Sequence, residues 1–266
     1  YERLGRYPEA EAEYARAFDA DSTFFLARVH QARLLCSMGR YREALEATRQ
    51  GSVDLSPLSR KQLRNRTVYT LRCAGRYDET LEMMDAMRDS LFQPGVWFHC
   101  RAEILKETGD AAGVDAMRDS LLQSLAAPGV VSAMWGGYLR MSARSLSLEV
   151  HGNWGTAADS LQAWLARAHP AWDGKHDALL RLADDLSRSG RFEAALGATG
   201  QVLADNPRQA RALCLQARAL DRLGRATEAQ EAWRRTAESL ERADPGEPMR
   251  EEAARRLALA GGPPAP

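Results

Sequence analysis

Apolar and small residues recur along this chain in a fixed order around seven glycines. Gly5, Gly39, Gly75, Gly109, Gly152, Gly190 and Gly224 follow one another at intervals of 34, 36, 34, 43, 38 and 34 residues. Four positions before each stands an apolar side chain: Tyr1, Leu35, Leu71, Leu105, Leu148, Leu186 or Leu220. Seven before it, where the copy is long enough, come Ala32, Val68, Ala102, Ser145, Ala183 and Ala217. A small residue one turn before a large one describes a helix that its partner approaches closely at one level and fills at the next. Five positions after the glycine the small residues return, as Ala10, Ala44, Thr80, Val114, Ala157, Ala195 and Ala229. The two small positions are expected to meet where the helices before and after the glycine cross. An aromatic residue, Tyr7, Tyr41, Tyr77, Trp154 or Phe192, opens the second helix, with Ala111 and Ala226 in its place in two copies.

Prolines supply a second punctuation. Pro57, Pro94, Pro128, Pro170, Pro207 and Pro245 fall 17 to 21 residues after the preceding glycine. Proline cannot continue a helix and suits the turn into the next hairpin. One glycine and one proline per period predict two helices per repeat, and such hairpins bury their apolar faces only by stacking on neighbours. The pattern therefore predicts an all-α solenoid of about seven helical hairpins over residues 1–245, read as one domain because a solenoid grows by addition. Glu247 to Leu259 read as an amphipathic helix with a charged outer face, which predicts a capping helix over 246–260 and a flexible tail over 261–266. The 43-residue interval is nine longer than the basic period, which predicts an insertion at about 110–155 and altered superhelical curvature near 125–155.

Gly5 to Asp21 and Gly190 to Pro207 place glycine, aromatic, alanine and a terminal acidic or proline turn at the spacing of a known family. The chain resembles a tetratricopeptide repeat array over residues 1–245, with repeats three to five degenerate at Thr80, Val114, Arg118 and Ser145. That resemblance implies a right-handed solenoid in which the first helix of each hairpin lines an inner groove, through residues about ten, six and three before the glycine. Carried over residue by residue, it makes Arg33, Asn65, Tyr69, Arg72, His99, Lys106 and Arg218 the expected partner-binding residues. Arg33, Asn65, Tyr69 and Arg72 form a patch suited to an acidic or C-terminal peptide. Val29 stands where chaperone-binding members have a clamp lysine, and Arg33 where they have an asparagine, which speaks against a chaperone adaptor.

Charge narrows the partners. The 36 basic and 36 acidic side chains cancel, so no net field draws the chain to nucleic acid. Arginine far outnumbers lysine, which is confined to Lys61, Lys106 and Lys175, and with abundant alanine this points to a GC-rich bacterial source. Cys36, Cys73, Cys100 and Cys214 lie far apart, favouring reduced thiols and a cytoplasmic location. The uncharged stretch Ser120 to Leu139 is long enough for a membrane span, yet Pro128-Gly129, Gly136-Gly137, Gln123 and its serines argue against one. No signal peptide is visible, and the chain opens at Tyr1 inside a repeat, so its true N-terminus is expected to lie upstream.

Little in the chain carries chemistry. His169, Asp173, His176 and Asp177 have metal-like composition but sit among Pro170, Trp172 and Gly174, which read as a polar turn. His99 and Cys100 are adjacent and point apart on a helix, so they make no nucleophile and base pair. Neither a Gly-rich phosphate loop nor an HExxH, GxSxG or Ser-xx-Lys arrangement occurs. The expectation is a non-catalytic protein-interaction scaffold without cofactor or metal, a module of a larger bacterial signalling or regulatory protein. The alternative is a structural subunit assembling with copies of itself through the hairpin left open at Tyr1 and the uncharged 120–139 segment.

Overall fold

The computed structural model describes residues 1–50, 55–87, 94–126, 133–169 and 174–260. Among them every regular element is helical. The α-helices run in the order α1 (Tyr7–Ala20), α2 (Phe25–Ser37), α3 (Tyr41–Gln50), α4 (Pro57–Cys73), α5 (Tyr77–Met87), α6 (Pro94–Glu107) and α7 (Ala111–Ser124). They continue as α8 (Ala133–Val150), α9 (Trp154–Leu165), α10 (Lys175–Arg188), α11 (Phe192–Asp205), α12 (Ala210–Arg222), α13 (Ala226–Ser239) and α14 (Pro248–Ala260). Each even-numbered helix from α2 to α12 turns at its glycine into the odd-numbered helix that follows, and a short 3₁₀ turn, Glu2–Leu4, precedes Gly5 and α1. No helix among the described residues is long and apolar enough to cross a membrane.

The turn is the same object seven times. Each glycine adopts positive φ, from 69° at Gly5 to 80° at Gly190. The amide of the residue after it donates to the carbonyl of the apolar residue four before it, as Arg40 does to Leu35 at 2.9 Å and Arg191 to Leu186 at 2.8 Å. This Schellman closure satisfies carbonyls that the helix end would otherwise leave open, and it needs a left-handed residue at its centre. The small positions behave as the pattern predicts. Ala32, Ala102, Ser145, Ala183 and Ala217 before the turn and Ala44, Val114, Ala157, Ala195 and Ala229 after it are all buried. Ala32 and Ala44 share one apolar cluster, Ala102 and Val114 a second, Ala217 and Ala229 a third.

The arginine that follows the glycine ties one hairpin to the one before. Arg40 is 1 % exposed and donates to Glu11 of α1 at 2.7 and 3.0 Å as well as to Glu43. Arg191 donates to Asp159 at 2.6 Å and to the Gly155 carbonyl at 2.8 Å, both on α9, and Arg225 faces Glu193 of α11 at 3.6 Å. Pro57 and Pro94 open α4 and α6, where a missing amide leaves no intrahelical bond unmade. Pro128 and Pro170 lie outside the described residues, as do 127–132 and the tail 261–266.

The helices gather into two compact units. Tyr1–Arg76 and Phe192–Pro266 form one, and Tyr77–Arg191 the other. In the first, the turns of the opening hairpins meet segments nearly two hundred positions away. Tyr7 donates its hydroxyl to Asn206 at 2.9 Å under the Arg208 guanidinium, the Asp244 amide donates to the Gly39 carbonyl at 2.9 Å, and the Arg42 amide donates to the Asp244 carboxylate at 3.0 Å. These turns are thus covered from within the unit, while Tyr1 and Leu4 ahead of them remain exposed. At the other edge α14 packs on α13 and α12, with Ala253 buried beside Cys214, Ala217 and Trp233. In the second unit α6, α7, α8 and α9 pack in succession. Part of the long interval before Gly152 is taken up by α8, at 18 residues the longest helix.

Gly39 separates conformational from packing demands. A Cβ there would stand 2.9 Å from both the Ala243 Cβ and the Glu247 Cγ, whereas at Gly75 it would meet nothing within 4 Å. Gly75→Ala is expected to cost about 1–2 kcal/mol, the cost of left-handed backbone for an L-residue, and Gly39→Ala clearly more. Urea unfolding of both variants checks this, and equal losses would contradict the contact between the Gly39 turn and residues 240–247.

Candidate partner-binding face

Within the first unit α2 packs beside α4, and their exposed sides carry most of the residues expected to bind a partner. Arg33, about half exposed at 48 %, donates to Glu2 at 2.9 Å, and Tyr14 donates to the same carboxylate at 3.0 Å. The Tyr14 ring stacks on His30 at 5.9 Å. Burial lowers the His30 pKa, reinforced by the Arg33 and Arg66 charges and opposed by Glu2, so the ring is neutral at pH 7. On α4, Tyr69 lies between two guanidiniums, Arg66 at 4.8 Å and Arg72 at 5.3 Å from the ring centre.

The unmet valences of this face are as informative as the bonds. His30 Nδ1, Asn65 Oδ1 and Arg66 Nε are buried polar atoms with no hydrogen-bond partner. Leaving such an atom unpaired costs about 1–3 kcal/mol, so each is a place where water or a ligand gains by binding. The structure thus brings Arg33, Asn65, Tyr69 and Arg72 onto neighbouring helices, and adds His30 and Arg66. Both additions stand nine positions before their glycine, one residue along from the position that singled out Asn65. A wider window on the same repeat would have found them.

In the second unit the groove positions turn inward. Lys106 of α6 donates to Glu149 at 2.8 Å, and Glu149 of α8 is only 1 % exposed. Arg181 of α10 donates through Nε to the other Glu149 oxygen at 2.6 Å, and through its terminal nitrogens to the Ser142 hydroxyl and to the Ser142 carbonyl at 3.2 Å. One carboxylate therefore ties three helices together, and Lys106 belongs to that network. Arg181 too stands nine before its glycine. Arg218 on α12 pairs with Glu252 of α14 through Nε at 3.1 Å. The side chain of His99 lies outside the described residues.

Asp185 sits against this network. It is buried and its Oδ2 has no partner. Burial pushes its pKa up to about 8, with the Glu149 charge in the same direction and Arg181 and Lys106 opposing. It is thus an uncharged acid at pH 7.

Two other clusters invite a chemical reading. Asp115 of α7 accepts from Ser147 at 2.6 Å and pairs with the His151 ring at 2.9 Å, bonds that hold its carboxyl below the usual range. Here the carboxylate stands between hydroxyl and ring, whereas a serine nucleophile needs the histidine between. The cluster fastens α7 to α8. Cys36 and Cys214 are free thiols pushed up to about 12 by burial, so they are protonated at neutral pH. Of the metal-like group, Asp173 lies outside the described residues.

Residues 180–248 match the family model of the tetratricopeptide repeat. Residues 180–248 carry tetratricopeptide repeats. Solved structures extend the likeness in fold. A tetratricopeptide repeat protein from Parabacteroides merdae ATCC 43184 superposes with a TM-score of 0.54 at 11% identity, covering 95% of this chain and 93% of that one. A chain of the APC/C hetero-tetramer Cut9-Hcn1 superposes with a TM-score of 0.52 at 12% identity, covering 95% of this chain and 46% of that one. No curated protein matches the chain in sequence.

The buried acid gives the second unit a pH response. Asp185 has a folded pKa above its unfolded value of 3.8, so between about 4 and 8 the folded state binds the extra proton and stability falls as pH rises through that window. Thermal unfolding from pH 5 to pH 9 is expected to show a falling Tm that Asp185→Asn flattens. An unchanged slope in the variant would place the titrating group elsewhere.

Proposed function

We propose that this tetratricopeptide array is a non-catalytic protein-interaction module that takes an extended peptide segment on the α2–α4 face. The observation that carries the reading is the set of buried polar atoms without partners, His30 Nδ1, Asn65 Oδ1 and Arg66 Nε, on the neighbouring helices that also bear Arg33 and Arg72. A peptide backbone would offer the missing donors and acceptors once the covering side chains move aside to admit it. Arg33 and Arg72 would add charge-assisted bonds to an acidic side chain or a terminal carboxylate. The rigid helix pair presents these groups with little ordering cost on the protein's side. Assembly with another protein is also the setting of the Cut9-Hcn1 structure, which shares the fold. The arginine-rich, lysine-poor composition supports a bacterial source, and repeats of this style fit a regulatory or signalling role within a longer protein.

Arg33→Glu combined with Arg72→Glu tests this. Peptides ending in a free carboxylate, selected on the wild-type chain, are expected to lose about tenfold or more in affinity to the double variant, while light scattering reports the same mass for both proteins. Retained affinity would move the binding site away from this face. A change of mass would instead assign the two arginines to contacts between copies.

A further inference from the structure

Between the first half of α8 and the last half of α9, inside the second unit, opens a cleft of about 760 Å³. Arg140, Arg144 and Arg167 line it with His169, and Met141 and Trp164 supply apolar wall. All three arginines are exposed. Arg140 donates to the Leu125 carbonyl at 3.2 Å and Arg167 to the Ala163 carbonyl at 3.1 Å. Among the described residues none of the three meets a carboxylate, and no acidic side chain lines the cleft. Elsewhere in this unit the pattern is the reverse, since Arg101, Arg118, Arg181 and Arg191 each have an acidic partner. Arg140 and Arg144 also stand one turn apart on α8, where like charges destabilise a helix unless an anion answers them.

We propose that this cleft binds an acidic, Asp- or Glu-rich segment of a partner protein. Its carboxylates meet Arg140, Arg144 and Arg167, and an apolar side chain of the segment rests on Met141 and Trp164. The volume falls in the range of sites that enclose sizeable ligands, far beyond one inorganic anion. Backbone carbonyls already hold two of the guanidiniums, so part of their ordering entropy is lost before binding. A nucleic-acid strand fits less well. The chain's charges balance at 36 to 36, so no net field draws it to nucleic acid, and three cleft arginines are short of the basic groove that tracks a strand's backbone. The site is separate from the α2–α4 face and does not depend on it.

Fluorescence anisotropy on the full chain tests the proposal, with a short end-blocked peptide of glutamates and one leucine as probe. The same peptide with glutamines is the control, and oligothymidylate the competitor. Wild type is expected to bind the glutamate peptide, more weakly as salt rises, and to ignore the glutamine peptide. Arg140→Glu with Arg144→Glu is expected to weaken binding by about tenfold or more, with Arg167→Gln, a milder exposed change, producing a smaller loss. Arg211→Glu, at an exposed arginine of α12 that belongs to neither face, should leave this affinity unchanged. The proposal is overturned by absent binding to wild type, by equal binding of the glutamine peptide, or by indifference to both cleft variants in proteins whose circular dichroism is native. Displacement by oligothymidylate at lower concentration than by unlabelled peptide would overturn it in favour of nucleic acid.

Discussion

The left-handed glycine turn is the constraint from which the rest of this architecture follows. A helix end leaves carbonyls without donors, and at positive φ the next two amides can fold back and meet them. Once the chain reverses in this way, the helix before the glycine and the helix after it leave at a set angle. The small residues seven before and five after the glycine then face each other, and only small side chains fit between axes brought that close. The arginine or polar residue immediately after the glycine is delivered to the preceding hairpin, where Arg40, Arg191 and Arg225 find Glu11, Asp159 and Glu193. One backbone geometry thus sets both the contact within a hairpin and the contact between hairpins.

A scaffold made by repetition leaves the even-numbered helices free to differ on the side away from their hairpin partner. In the first unit that freedom produced a face on which polar atoms are buried without partners. In the second it produced a closed network around Glu149. The same repeat positions therefore face outward in one place and close a network in another, and the difference lies in whether a neighbouring helix supplies the counter-charge. Arg33 pairs with Glu2 and remains half exposed, whereas Glu149 is enclosed by Lys106 and Arg181. Asp185 marks the limit of what such a network tolerates, since it is stable there by giving up its charge.

The fold was legible in the sequence because its rules are local. Glycine conformation, proline at helix starts and the spacing of small residues all act within one period, so reading seven copies against one another removes most ambiguity. The α2–α4 face was legible in part. Asn65, Tyr69 and Arg72 were found through their register, but His30, Arg66 and Arg181 stand one residue along, and whether a residue there is exposed, half-buried or enclosed depends on how closely adjacent helices approach. Lys106 illustrates the same limit: its register marks a groove residue, yet Glu149 across the helix interface draws its ammonium inward. The arginine cleft was not legible at all. Arg140 and Arg167 are far apart in sequence, and they share a site only because α8 is long and α9 runs back along it.

The hydrogen bonds from Tyr7 to Asn206 and from Arg42 to Asp244 span 199 and 202 positions of chain. Repeat arrays ordinarily fold by nearest-neighbour propagation and fray from their ends. Here the turns before α1 and α3 complete their packing only once Asn206 and Asp244 are in place. Such long-range closure slows folding through its entropy cost and, once made, joins the opening repeats to the closing ones in a single cooperative unfolding unit. The turns at Gly5 and Gly39 are thus held by more than their neighbours in sequence, and local opening there must break these distant contacts as well.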